Sequence, residues 1–356
     1  MTPSKSSGQA PREALLAEAA KRVLLTDGAF GTQIQNRKLT EQDFAGDLGL
    51  TADQKGNNDI LALTRPDVIA DITRAYLDAG SDIVSTNTFS ANRISQADYK
   101  AEDKVEAINV ESARIARELA DEYAAKDGRP RFVAGAIGPT NKTLSLSPDV
   151  EDPGYREITF DHLVDVYHEQ AVALVKGGAD FILIETVFDT LNAKAGIFAV
   201  RKLERELGRD VPIMMSMTLT DLSGRNLSGH TVEAFWHSVR HARPVTIGLN
   251  CSFGADQLRP HVQLLSKLAD TLIMVYPNAG LPNELGEYDE APETTAALVK
   301  AWAENRRVNI LGGCCGSTPE HIAAMARAVD GLAPRALPEA DNVMRLAGLE
   351  PFEIAA

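Results

Sequence analysis

The sequence has 356 residues, of which 44% are hydrophobic, and a formal net charge of −14 at neutral pH. The acidic balance argues against a nucleic-acid-binding or anionic-membrane-binding surface, and no apolar run approaches membrane-spanning length. Residues 1–11 are rich in Ser, Gly and Pro and lack the apolar segment of a signal peptide. We therefore expect a disordered tail over 1–11 and a cytoplasmic protein.

From residue 12 onward, short apolar segments alternate with helical patterns. A helix over 12–22 leads to a first strand at 23–25, followed by a Gly-punctuated turn and a long polar stretch over 37–59. The strands predicted after it lie at 82–86, 132–134, 181–184, 212–219, 245–249, 272–275 and 308–311, and a helix follows each one.

Eight strands alternating with helices predict an α/β fold of the (β/α)8 TIM-barrel type over residues 12–331. The strands are short and β-branched, as expected when both faces of a sheet are covered. A doubly wound open sheet is the alternative, but the first strand–helix turn lacks the Gly-x-Gly-x-x-Gly pattern. Residues 332–356 contain prolines and scattered polar residues, which indicate a C-terminal linker.

A barrel brings the polar residues that follow its strands to one rim, where the active sites of this fold lie. These residues are Asp27, Asn87, Glu185, Cys251, Asn278 and the pair Cys314–Cys315. A single Asp or Asn in such a place is most often a turn residue, so the evidence for a site is that all these residues share one rim. Glu185 follows four apolar residues, and we expect it to be partly desolvated and to need a cationic partner.

The three cysteines of the sequence all lie at two of these strand ends. Three thiolates can hold Zn²⁺ and leave one coordination position open, as in catalytic zinc sites. Two alternatives stay open: the cysteines could be small buried hydrophobes, or they could form a disulfide. Adjacent Cys314 and Cys315 would bridge each other only with strain. Gly312, Gly313 and Gly316 allow the sharp turn that would let both face one ion.

Several motifs at these junctions match a known pattern. They are Asp27-Gly28-Ala29-Phe30-Gly31-Thr32, Gly248-Leu249-Asn250-Cys251 and Gly312-Gly313-Cys314-Cys315-Gly316. In these motifs the sequence resembles the homocysteine S-methyltransferase family of zinc TIM barrels. Stretches at 55–59, 138–141, 147–150, 184–194 and 276–282 are similar to the amino-terminal homocysteine module of cobalamin-dependent methionine synthases.

The resemblance extends over roughly residues 24–351, and 345–351 resembles the linker that leads into a folate domain in the full-length enzymes. The sequence given stops at that linker. A separately encoded subunit, a fragment and a stand-alone methyltransferase are therefore all open interpretations.

The resemblance implies a chemistry for the rim. Cys251, Cys314 and Cys315 would bind Zn²⁺ as thiolates and be the catalytic centre, and homocysteine would be methylated to methionine. The implied methyl donor is methylcobalamin, carried by a cobalamin- or folate-binding partner chain and not held stably by this one. Asn278 would fill the fourth zinc position until the substrate displaces it.

The resemblance also implies contacts to the amino-acid end of homocysteine. Glu185 and Asp27 are the candidates for the ammonium group. The candidates for the carboxylate are Asn87 and the backbone N–H groups of the turn Gly28, Ala29, Phe30 and Gly31.

Two other functions stay open. A stand-alone enzyme would take methyl from S-methylmethionine, S-adenosylmethionine or betaine, although the tail that resembles methionine synthase speaks against it. A non-catalytic barrel would hold zinc and homocysteine without transferring methyl, although the complete set of rim residues speaks against that.

Overall fold

The computed structural model describes residues 10–339 and 343–354. Its main sheet has the strands β1 (Leu24–Leu25), β2 (Ile83–Ser85), β3 (Phe132–Ile137), β4 (Phe181–Val187), β5 (Ile213–Met217), β6 (Thr246–Gly254), β7 (Leu272–Asn278) and β8 (Ile310–Leu311). From β2 to β8 each strand pairs in parallel with the next, and β8 pairs in parallel with β1. A parallel bridge between Thr26 and Ile83 joins the two ends of the sheet. The predicted TIM barrel is confirmed.

The first helix precedes β1, and all the other helices follow strands of the main sheet. They are α1 (Pro11–Ala19), α2 (Phe30–Asn36), α3 (Glu41–Ala45), α4 (Leu61–Thr64), α5 (Pro66–Asp78), α6 (Arg93–Gln96), α7 (Val105–Asp127), α8 (Phe160–Gly177), α9 (Thr190–Leu207), α10 (Val232–Val239), α11 (Ala255–Leu268), α12 (Pro292–Glu304) and α13 (Pro319–Val329). A long helix follows every strand, and α2–α4 and α6 are additional helices in the first two connections. No helix within the described ranges combines the length and the apolar character needed to cross a membrane.

The core has two layers because successive strand residues point to opposite faces of the sheet. Along β4, Phe181 and Leu183 belong to the cluster inside the barrel, whereas Ile182 and Ile184 pack in the layer between sheet and helices. The rings of Phe132 and Phe181 lie with their centroids 5.7 Å apart inside the barrel. The interior is thus filled by side chains, and the space for a ligand lies above it at the strand ends.

The two terminal regions adjoin the barrel. Residues 1–9 of the predicted tail lie outside the described residues, and Pro11 is already the first residue of α1. The predicted linker over 332–356 includes an antiparallel hairpin of β9 (Met344–Ala347) and β10 (Pro351–Ile354). The hairpin loop reaches the barrel, where the Thr231 N–H donates to the Leu349 carbonyl at 3.2 Å.

Candidate active site

Two strands lose their regular register at their carboxyl ends. The pairing of β4 with β5 shifts after Ile184, and that of β6 with β7 shifts after Asn250. In these irregular segments Thr186 has a φ of 54° and Cys251 a φ of 60°. Positive φ is uncommon for residues other than glycine and is often found at functional sites. Both Glu185 and Cys251 line one large cavity at this end of the barrel.

The three cysteine sulfurs converge at the wall of this cavity. The Sγ atoms of Cys251 and Cys315 are 3.7 Å apart, and with that of Cys314 all three lie within 4.8 Å of one another. A disulfide would need a separation of about 2.05 Å, so the cysteines are free thiols. Two thiolates on a tetrahedral zinc at Zn–S distances of about 2.3 Å stand roughly 3.8 Å apart. The spacing of the sulfurs therefore fits an ion of that size.

Close packing holds the loop that carries Cys314 and Cys315. The Gly313 N–H donates to the Asp27 carbonyl at 3.1 Å, and the Cys314 N–H donates to the Pro277 carbonyl at 2.8 Å. A Cβ atom on Gly313 would lie 2.3 Å from the hydroxyl oxygen of Ser317. Glycine is therefore required at Gly313 by this close contact, whereas Gly316, with a φ of 80°, is the glycine of the three that has a left-handed conformation.

The electrostatics of the three thiols are those of a shared cluster. Hydrogen bonds from Cys251 and Cys314 stabilise a thiolate at Cys315 and lower its pKa. The same contacts with Cys251 and Cys315, together with burial, raise the pKa of Cys314 well above its ordinary value. Without a cation the cluster thus favours one thiolate held by two thiols, and a divalent cation would be needed to stabilise three thiolates together.

Two carboxyl groups face the cavity near the sulfurs. Asp27 accepts hydrogen bonds from the Ser85 N–H at 2.6 Å and from the Ser85 hydroxyl at 2.8 and 2.9 Å. Burial nevertheless raises the pKa of Asp27 to about 6. Glu185 accepts one hydrogen bond, from the Tyr276 hydroxyl at 3.1 Å, and burial raises its pKa to about 7. Each carboxylate would gain from a positively charged ligand.

The cavity has a volume of about 1240 Å³. Its charged lining residues are all acidic: Asp27, Asp59, Asp98, Glu185, Glu287 and Asp289. Among the residues that the structure describes, no Lys, Arg or His side chain lines it. An acidic cavity raises the local concentration of cations, so this one favours ligands with a positively charged group.

The predicted carboxylate-binding residues line the same cavity, but some of their donors already have acceptors. Gly28, Ala29, Phe30, Gly31 and Asn87 are all among its lining residues. The Ala29 N–H donates to the Ser317 hydroxyl at 3.3 Å, and the Asn87 amide donates to the Asn58 carbonyl at 2.7 Å. Because α2 begins at Phe30, its first N–H groups have no acceptor within the helix.

Asn278, the predicted fourth metal ligand, is buried next to the sulfur cluster. Its neighbour Ala279 donates its N–H to the Cys315 carbonyl at 2.9 Å. The side-chain Oδ1 atom of Asn278 is buried without a hydrogen-bond partner in the described part of the chain. A buried acceptor without a partner is costly, and the predicted role of Asn278 stays open.

Three further residues line the cavity without a sequence pattern that predicts a role for them: Asp59, Tyr276 and Tyr288. Asp59 accepts a hydrogen bond from the Ser90 N–H at 3.1 Å, and burial raises its pKa to about 7. It ends the polar stretch 37–59 and belongs to the motif 55–59, in which nothing local distinguishes the role of its side chain. The pairing of Tyr276 with Glu185 spans the barrel and leaves no signal in local sequence.

A second group of potential metal ligands lies outside the cavity, beneath the C-terminal hairpin. Ligand atoms of Glu233, His237 and Glu353 lie within 4.8 Å of one another. The Nε atom of Arg345 donates to Glu353 at 2.6 Å, so a cation already neutralises this carboxylate. The group is therefore an ion-pair cluster that ties the hairpin to α10.

Comparison with known proteins gives a consistent result. A family model described as Homocysteine S-methyltransferase matches residues 24–329, from the start of β1 to the end of α13. The metallated form of the homocysteine methyltransferase MmuM from Escherichia coli has 23% sequence identity and a TM-score of 0.69, over 89% of this chain and 99% of that chain. Its oxidized form has 21% identity and a TM-score of 0.68, over 90% and 99%. At these identities the structural likeness supports the fold.

Proposed function

Because the chain belongs to the homocysteine S-methyltransferase family, we propose that it transfers a methyl group to the sulfur of homocysteine at the cysteine cluster. The observation that carries the proposal is the convergence of three free thiols within 4.8 Å of one another at the wall of an acidic cavity. The product would be methionine.

We propose Zn²⁺ as the ion that Cys251, Cys314 and Cys315 hold. The separation of 3.7 Å between two of the sulfurs supports this assignment. When bound, the ion supplies a positive charge that keeps the homocysteine sulfur ionised at pH 7, where a free thiol with a pKa of about 8.5 is mostly protonated. Asn278, with its buried unpartnered oxygen, is the residue that would complete the ligand set in the absence of substrate.

The residues of the cavity would orient the amino-acid end of homocysteine. Glu185 and Asp27 would accept hydrogen bonds from the ammonium group, because both carboxylates are buried and face no basic side chain in the described residues. The first N–H groups of α2, which have no acceptor within the helix, would donate to the carboxylate. Asn87 would have to give up its hydrogen bond to Asn58 to join them.

The reaction is a displacement at carbon. The thiol proton of homocysteine passes to solvent, and the homocysteine sulfur uses an electron pair to form a bond to the methyl carbon. The bond from that carbon to its carrier breaks, and its electron pair stays on the carrier. We propose that the donor is methylcobalamin held by a cobalamin- or folate-binding partner chain. The size of the cavity supports the approach of a large donor.

A second candidate is a stand-alone enzyme with a small cationic donor, such as S-methylmethionine, S-adenosylmethionine or betaine. The specific observation in its favour is the acidic lining of the cavity. Carboxylates attract the positive charge of a sulfonium or quaternary ammonium donor, from which the methyl group would be transferred. The two candidates share the homocysteine site and differ only in the donor.

A donor screen tests the proposal. Purified protein is incubated with homocysteine and each of the four donors, with and without a zinc chelator, and methionine is quantified by mass spectrometry. Methionine from methylcobalamin alone supports the first candidate, and methionine from a sulfonium or betaine supports the second. Full activity after verified removal of zinc would contradict the metal assignment. Homocysteine binding without product from any donor would indicate the non-catalytic barrel.

A further inference from the structure

The side chain of Asn250 contacts three other strands or their loops. Its Oδ1 accepts hydrogen bonds from the Thr186 N–H at 3.1 Å and from the Ser216 hydroxyl at 2.6 Å. Its Nδ2 donates to the Thr186 hydroxyl at 2.8 Å and faces the Cys314 sulfur at 3.9 Å. The residue is almost completely buried, with 1% of its surface exposed. Every polar atom of its amide therefore has a partner at the site.

Asn250 lies where both irregular strand ends begin. It is the last regularly paired residue of β6, directly before Cys251, and Thr186 directly follows Glu185 in β4. A positive φ at a β-branched residue such as Thr186 costs on the order of 1–2 kcal/mol and persists only when its surroundings hold it. Asn250 supplies such a constraint, because it binds both the N–H and the hydroxyl of Thr186.

We infer that Asn250 is a positioning residue that fixes the Glu185 segment and the cysteine cluster in one mutual arrangement. The inference rests on the proposed function, in which Glu185 binds the ammonium group and the cysteines receive the sulfur of the same molecule. Homocysteine can span only a limited distance between these two groups, so the two parts of the site must stay within that reach of each other. Residues that orient ligands in this way affect metal affinity although they do not bind the metal.

Three variants test this role. Asn250→Ala removes all the contacts, and Ser216→Ala removes the hydroxyl that donates to the Asn250 Oδ1 atom and that also contacts Tyr276. The matched control is Asn226→Ala. Asn226 is also a buried asparagine with side-chain hydrogen bonds, to Thr190, Ser228 and the His230 N–H, but it does not line the cavity.

Hydrogen exchange of the metal-free proteins is measured first, without substrate. Asn250→Ala should increase exchange about tenfold or more in peptides covering 181–187 and 248–256, and Ser216→Ala should do so to a smaller extent. Asn226→Ala should increase exchange only around 226–231 and at the start of α9, where its side chain contacts Thr190. If Asn250→Ala does not fold, Ser216→Ala is the variant that tests the inference. Wild-type exchange at 181–187 in the variant that folds would overturn the inference.

Metal and substrate binding provide the second readout. Asn250→Ala should weaken Zn²⁺ affinity by about 10- to 100-fold, measured by competition with a chromophoric chelator, and raise the KM for homocysteine. Asn226→Ala should change neither value. The exchange measurement does not need activity, so it decides on Asn250 even if the donor screen yields no methionine. Conversely, an active enzyme with unchanged exchange and unchanged zinc affinity in the Asn250 variant would refute the positioning role and leave the proposed function standing.

Discussion

Tyr276 donates a hydrogen bond of 3.1 Å to the Oε2 atom of Glu185 and so connects β7 with β4 across the barrel. This neutral donor is the hydrogen-bond partner that the structure gives the Glu185 carboxyl. Burial outweighs it, and the negative charge of Asp27 adds to the effect, so the pKa of Glu185 rises to about 7. Burial destabilises the ionised form of this carboxyl group, and a cation bound beside it would stabilise that form.

We predict that Glu185→Gln makes the protein more stable at pH 8 and a poorer enzyme. The carboxyl has an ordinary pKa of 4.5 and titrates near 7 in the folded state, so the folded protein binds more protons between these values. The stability from this group is complete below about pH 4.5 and is lost as the pH rises through about 7. Glutamine avoids the loss, which is about 1–3 kcal/mol.

Urea unfolding at pH 5 and pH 8 measures this effect. The variant should gain stability relative to wild type only at pH 8. Its KM for homocysteine should rise tenfold or more, because the loss of one ion pair costs about 1.4 kcal/mol of binding free energy. Glu118→Gln is the control, because Glu118 lies on the exposed surface of α7 with 63% of its side chain exposed. Equal stability changes at both pH values would contradict the assigned burial of the Glu185 charge.

We predict that replacing one cysteine abolishes metal binding without unfolding the barrel. Cys315→Ser removes one of three sulfur ligands, so zinc content should fall from about one ion per chain to below a tenth. The loop itself is held by backbone hydrogen bonds from Gly313 to Asp27 and from Cys314 to Pro277, which do not involve the metal. Elemental analysis and thermal unfolding of the wild-type apoprotein and the variant check both parts.

Methionine formation by Cys315→Ser should fall about a thousandfold or more, with the same result for Cys314→Ser, since a displaced or absent ion no longer favours the ionised sulfur. The wild-type apoprotein is the reference for the unfolding temperature, and we expect the variants to match it. A serine variant that retains a full zinc equivalent would show that the ion is bound elsewhere.

We predict that Gly248→Ala disrupts the barrel next to the site. A Cβ atom at this position would lie 1.5 Å from the Met274 carbonyl oxygen, and a main-chain atom of a buried strand cannot move aside. The cost should exceed about 3 kcal/mol, as for other overpacked buried positions. Gly128→Ala is the matched control, because its φ is +74° but nothing lies within 4 Å of a new Cβ.

The control should lose only about 1–2 kcal/mol of stability, which is the cost of a left-handed backbone conformation at a residue other than glycine. Urea midpoints and the soluble yield of both variants give the comparison. A loss at Gly248 no larger than the loss at Gly128 would mean that the contact with Met274 does not make glycine necessary in β6.

The sequence predicted the barrel because hydrophobic periodicity is a local property, and the eight strand positions follow from it. The same reasoning predicted that Cys251 and Glu185 lie at one rim of the barrel. It could not predict the register shifts after Ile184 and Asn250, because a shift is a relation between two paired strands. The contact of Asn250 with Thr186 is likewise invisible in sequence, since it joins residues 64 positions apart that lie on strands separated by β5.

Arg335, which lies in the predicted linker, is buried against the barrel. The side chain is 5% exposed and lies at the amino-terminal end of the barrel, opposite the cavity. It donates to three main-chain carbonyls, those of Ser266, Ala269 and Thr271. Its own carbonyl accepts a hydrogen bond from the Asn309 amide at 2.7 Å. The segment after α13 is therefore tied to the α11–β7 connection and to Asn309 at this end of the barrel.

We predict that Arg335→Ala destabilises the protein by about 2–4 kcal/mol, because it leaves the three carbonyls without their donor. Arg335→Lys should recover only part of this loss, since one ammonium cannot reproduce the fork of the guanidinium. Arg327→Ala, on the exposed surface of α13, is the control and should change stability by less than about 0.5 kcal/mol. Urea unfolding gives these values, and kcat/KM should stay unchanged because the cavity lies at the other end. A stability of Arg335→Ala equal to that of Arg327→Ala would mean that the segment adds nothing to the barrel.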